Sequence, residues 1–131
     1  MLKLKFADNT EKEVLQDTVI YPSGSPSIRS RMEVHMSADA MPLQDFEALM
    51  SDPAKTGTLR LIETGTDETG GEMIVRDTAY SAYTLVASVG KQRVDKLDYT
   101  SGQAAGETHL VAVLEQLTYI EQQLAALGLR V

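Results

Sequence analysis

Leu110, Val113, Leu117, Ile120, Leu124, Leu127 and Val131 stand alternately three and four residues apart, and this spacing constrains the chain more than any other feature. A 3-4 repeat returns to one side of an α-helix at every step. It therefore predicts a C-terminal amphipathic helix over 107–131 with a coiled-coil-like seam. Such a helix would run roughly 30 Å at a rise of about 1.5 Å per residue, and Gly128 is placed to end it in a left-handed cap. Its two halves differ. Val111, Ala112 and Leu114 broaden the first half into a face suited to a sheet. Further on the seam narrows between Gln116, Thr118, Glu121, Gln122 and Gln123, leaving Leu117, Ile120, Leu124 and Leu127 as the candidate interface residues. Two readings stand side by side. The strip takes a partner helix, or the whole helix lies across its own sheet, because seam and 3.6-residue face diverge by only about 60° over three heptads. Leu at a with Ile or Val at d leans away from parallel dimers toward higher order, and the sparse charges at e and g leave orientation open.

Upstream, the patterns are those of strands. Leu2, Leu4 and Phe6 alternate with Lys3 and Lys5, Asp8-Asn9 supplies turn chemistry, and a second extended run covers Glu11–Tyr21. Pro22-Ser-Gly-Ser-Pro26 is a loop. The cleanest alternation sets Ile28, Ser30, Met32, Val34 and Met36 against Arg29, Arg31, Glu33 and His35, as in a strand buried on one side. Leu43, Phe46, Leu49 and Met50 recur at helical spacing, with Pro42 in the first turn and Pro53 as the stop. Strands resume over Gly57–Glu63, Glu72–Ala79 and Tyr80–Val89, with a further edge strand over Lys91–Tyr99. The order predicts an α+β fold: a mainly antiparallel sheet of about five to seven strands, one short internal helix and the longer C-terminal helix. The organisation read from this is a β-rich domain over 1–99, a small, polar hinge over 100–106, and the helix over 107–131.

Chemistry is hard to find in these residues. The chain has no cysteine, which removes disulfides, thiolate nucleophiles and Cys-based zinc sites. Its formal charge of -7 argues against nucleic acid and anionic membranes as partners. The N-terminus lacks a signal-peptide apolar core, and no window approaches the roughly 18 apolar residues of a membrane span. Export, if any, would follow lysis or a non-standard route. His35 reads as the polar face of a strand and His109 as the start of the helix, each without a second ligand at fixed spacing. Glu63, Asp67, Glu68 and Glu72 form an acidic hairpin tip without the alternating ligands of a calcium loop. Ser23, Ser25 and Ser27 read as a flexible loop. Arg29, Arg31, Lys91, Arg93 and Lys96 could form a modest basic patch, but without interleaved aromatics they read as ordinary solvated surface. Tyr80 and Tyr83, three apart in an extended run, are expected on opposite faces, one in the core and one as an interface anchor. No catalytic, cofactor or metal residue is assigned, and no small-molecule substrate is indicated.

Several stretches carry a likeness: Leu4-Lys-Phe-Ala-Asp8, Pro42-Leu-Gln-Asp-Phe-Glu-Ala-Leu49 with Ser51-Asp-Pro-Ala-Lys55, Tyr80-Ser-Ala-Tyr-Thr-Leu85, and Gln116-Leu-Thr-Tyr-Ile-Glu-Gln-Gln-Leu-Ala-Ala-Leu127. Together the chain resembles small proteins encoded in tail modules of prophages of Gram-positive bacteria. The resemblance implies a virion tail or baseplate component, or a protein that helps assemble one, and carries over no enzymatic residue. Its implied partners are copies of itself and other phage structural proteins, in the virion or the host cytoplasm. A cytoplasmic adaptor binding a protein partner is the second reading, and an enzyme with an unrecognised site the third.

Overall fold

A computed structural model describes residues 1–98 and 102–128. Among them, eight strands and three short helices follow one another: β1 (Leu2–Lys5), β2 (Glu11–Val14), β3 (Val19–Tyr21), β4 (Arg31–Ser37), α1 (Leu43–Met50), α2 (Pro53–Thr56), β5 (Thr58–Thr66), β6 (Glu72–Ser81), β7 (Leu85–Asp98), β8 (Gln103–Glu115) and α3 (Tyr119–Ala126). The strands make two four-stranded antiparallel sheets, ordered β2-β1-β5-β6 and β3-β4-β8-β7. The fold is α+β and mostly antiparallel, as expected, but with two sheets and more strands than the sequence suggested.

The core lies between the sheets. Leu2, Leu4, Val14, Leu59 and Leu61 face it from the first sheet, and Met32, Val34, Met36, Leu110, Ala112 and Leu114 from the second. Phe46, Leu49 and Met50 of α1 join it. The alternation of Met32, Val34 and Met36 survives as expected, although β4 starts at Arg31 and leaves Ile28 in the loop, 63% exposed. Pro42 sits at the N-cap of α1. Pro53 opens α2, with Asp52 Oδ1 accepting from the Ala54 N–H at 3.0 Å.

The run expected over Glu11–Tyr21 is divided between the sheets. β2 pairs with β1 through the Asp8-Asn9 turn, where Asn9 adopts a φ of 70°. β3 joins β4 instead. Between β6 and β7 the chain turns at Ala82, whose φ is 64°. That turn brings Tyr80 and Tyr83 together edge to face, centroids 6.1 Å apart, rather than onto opposite faces.

The C-terminal helix expected over 107–131 requires the largest correction. Residues as far as Glu115 belong to β8, the strand between β4 and β7, and helix is confined to Tyr119–Ala126. The physical reason is visible in Leu110-Val-Ala-Val-Leu114. A short continuous apolar run also suits a strand buried on both sides, and its β-branched valines favour one. Leu110, Ala112 and Leu114 turn to the core while His109, Val111 and Val113 turn away. Of the expected 100–106 hinge, Gln103–Gly106 is strand, and residues 100 and 101 lie outside the described residues. Val131, the last member of the seam, lies outside them too.

β7 and β8 stay paired well past the sheet. The last row with three strands is Ser37, His109 and Gln92. Six further rungs follow, from Arg93↔Thr108 to Asp98↔Gln103, without a third strand among the described residues. At about 3.4 Å per residue this two-stranded arm is about 20 Å long.

Candidate functional site

Two places concentrate features beyond what folding needs: the surface around α3 and the root of the β7–β8 arm.

α3 is set by local chemistry. Thr118 caps it, accepting from the Glu121 N–H at 3.2 Å, and Glu121 accepts in return from the Thr118 N–H at 3.1 Å. This reciprocal pair satisfies two of the helix's otherwise unpaired donors. Arg29 holds Glu121 from the other side, Nε to Oε1 at 2.9 Å and a terminal guanidinium nitrogen to Oε2 at 2.6 Å. The Arg29 fork, followed by the Thr118 N–H, keeps the Glu121 carboxyl ionised down to about 2. No residue of α3 is buried. The helix is pinned to the 22–30 loop by charge and hydrogen bonds, and the apolar face remains open.

The four candidate interface residues do not form one stripe of equal exposure. Leu117 precedes the helix, half-buried, its N–H donating to the Ala82 carbonyl at 2.9 Å. Leu124 is half-buried, whereas Ile120 is 62% and Leu127 76% exposed. Tyr119 and Ile28, which the heptad pattern left out, are equally open at 69% and 63%. Ile28, Arg29, Arg31, Glu115, Ile120 and Glu121 line an open cleft of about 670 Å³ between the loop and α3.

At the arm root, His35 of β4 and His109 of β8 meet through their Nδ1 atoms at 2.9 Å, rings nearly perpendicular. Each is buried, 4% and 1% exposed. The Nε2 of His35 lies 2.6 Å from Glu33 Oε1, and that of His109 lies 3.0 Å from Glu107 Oε2. The result is an unbroken line, Glu33–His35–His109–Glu107, across two strands. On a strand, residues two apart share a face, so each Glu-x-His tripeptide presents carboxylate and imidazole together. The turn at Leu15–Thr18 closes over His35: its carbonyl accepts from the Leu15 N–H at 2.8 Å, and its N–H donates to Thr18 Oγ1 at 3.1 Å. Reading His109 as the start of a helix separated it from His35; the repeated Glu-x-His, read as strand, was the available signal.

The remaining candidates resolve into structure. Asp67 Oδ1 accepts from the N–H of Thr69 and of Gly71 at 2.9 and 2.8 Å and from the Thr69 hydroxyl at 2.7 Å, which lowers its pKa and closes the β5–β6 turn. Glu63 and Glu72 face Arg76 and Lys3 at 3.5 and 3.7 Å. Ser23, Ser25 and Ser27 bond to one another and to backbone within their loop. Arg93 pairs with Asp95 at 3.0 Å on the arm, away from the Arg29–Glu121 fork. Among the described residues no cluster of three or more His, Asp or Glu is arranged to hold a metal ion, and no helix is long and apolar enough to cross a membrane. No family model, curated protein or solved structure matches the chain.

Proposed function

We propose that this chain is a structural subunit that works by docking onto copies of itself and other proteins, with a phage tail or baseplate as the assembly and the virion or host cytoplasm as its location. The observation that carries the reading is the β7–β8 arm. A two-stranded ribbon is marginal by itself in water, because a hairpin gains firm stability only from a third strand or a packed face. Six rungs without a third strand among the described residues support an arm whose partner is a neighbouring subunit. The open apolar residues at α3 add a second contact surface, and both fit a repeating assembly in which each copy reaches the next. The tail setting itself rests on the sequence resemblance.

The cleft beside α3 favours the second reading, an adaptor that takes a segment of another protein between Ile28 and Ile120. Mass measurement in solution separates the two. A repeating subunit is expected to self-associate between about 10 and 500 µM, the range of weak subunit contacts. Glu in place of both Ile120 and Leu127 should reduce the assembled fraction severalfold while leaving the fold intact, because neither side chain is buried. A monomer throughout that range would sink the subunit reading and leave the adaptor.

A further inference from the structure

The line Glu33–His35–His109–Glu107 has a fixed proton count. The contact between the two Nδ1 atoms holds one proton, since one ring must donate and the other accept. Each outer contact, between an Nε2 and a carboxylate oxygen, holds one more. Three protons therefore fill three contacts, giving one imidazolium, one neutral imidazole protonated on Nε2 and two carboxylates. Both outer contacts end on a carboxylate and are charge-assisted, so the extra proton belongs to the two rings jointly.

We propose that this line is a proton-set latch on the arm, closed with three protons and opened by a fourth. A fourth proton on the rings places two N–H groups and two positive charges face to face across 2.9 Å. Loss of one from the closed state sets two lone pairs face to face instead. Water cannot relieve either arrangement at rings only 4% and 1% exposed. Relief requires a ring to swing out or β8 to part from β4. The place is the row of Ser37, His109 and Gln92, the last before the arm, and Glu107 is already on the arm, opposite Val94. Proton uptake thus loosens the arm at its root while the sandwich core between the sheets is untouched.

Charged neighbours come from every element around the pair. Asp17 lies beside Thr18 in the turn over His35. Arg31 of β4 and Glu115 of β8 share the sheet face of the pair, whereas Lys91 and Arg93 of β7, opposite Leu110 and Thr108, lie on the other face. α1, on the core side, carries Asp45 and Glu47. The latch holds whether or not the arm docks on a neighbour, so its test runs on the intact chain alone.

Imidazole ¹⁵N spectra taken between about pH 8 and about pH 4.5, the range over which histidines change charge, read the proton count directly. One doubly protonated ring and one Nε2-protonated ring mark the closed latch. On acidification both rings become doubly protonated. In the same step, hydrogen exchange at the amides of Ser37, Gln92, Arg93 and His109 should accelerate about tenfold beyond its intrinsic pH dependence, with Leu4 and Leu61 unchanged. His35→Gln should abolish that step. Two rings both doubly protonated or both neutral at neutral pH, or an exchange step shared by the first sheet, would overturn the latch from wild-type data even if the variant fails to fold. Self-association at either pH bears on the subunit reading and leaves this result standing.

Discussion

Single residues decide how the loop, the helix and the turns are held. The Glu121 carboxyl, at about 2 in the folded chain, lies below its ordinary value near 4.5. A depressed folded value means its contribution is present above about pH 4.5 and lost as pH falls toward about 2. Protection of the α3 amides is expected to fall through that window, and Arg29→Ala should weaken the dependence, leaving the part that the Thr118 N–H supplies, as hydrogen exchange or NMR can follow. Thr118→Ala, which strips the N-cap, should cost about 1 kcal/mol of helix stability. Ala82 occupies the left-handed region at a φ of 64°, which costs a β-carbon about 1 kcal/mol. Ala82→Gly is therefore expected to hold stability level or raise the midpoint of urea unfolding slightly, and Ala82→Val to lower it. Such features were partly legible. Thr118-Tyr-Ile-Glu121 is a capping box in the sequence, and it marks the helix N-cap eight residues after Leu110. The Arg29–Glu121 and His35–His109 contacts were not legible, because their partners are brought together only by the sheet and the loop.

At the scale of elements, β8 carries the fold. It is the central strand between β4 and β7, and it gives the core Leu110, Ala112 and Leu114. A chain ending at Gly106 is expected to lose native structure altogether, visible as loss of dispersion in a ¹H–¹⁵N spectrum. One ending at Gln116 should keep both sheets, because no residue of α3 is fully buried. Phe46→Ala, at a fully buried side chain of α1, should cost about 3–5 kcal/mol in chemical denaturation. Strands that alternate cleanly, β1 and the core face of β4, were legible because one face is apolar and the other polar. β8 was not, because both its faces are covered and periodicity is silent there. The 3-4 seam then ran by coincidence through a strand, a connection and a short helix. The second run, Glu11–Tyr21, looked continuous because the turn at Leu15–Thr18 contains no glycine or proline.

For the whole molecule, stability and reach are separable. The sandwich is held by a core that spans both sheets and α1, whereas α3 contributes no buried residue to it. Evolution or design can thus retune what the protein touches without retuning whether it folds. Glu substitutions at Ile120 and Leu127 are expected to leave the thermal midpoint within a few degrees of wild type, as calorimetry would show.

The position of β8 also dictates an order of events during synthesis. Its partner β4 is made some seventy residues earlier, with Ser37 waiting for His109. Until the ribosome has released residues past Glu115, the second sheet lacks β8, and Met32, Val34 and Met36 have a strand at most on the β3 side. The first sheet has all four of its strands by Ser81, but the apolar side it presents stays uncovered. The nascent chain therefore holds its future interior open through the synthesis of seven strands, and closes it only when β8 has emerged.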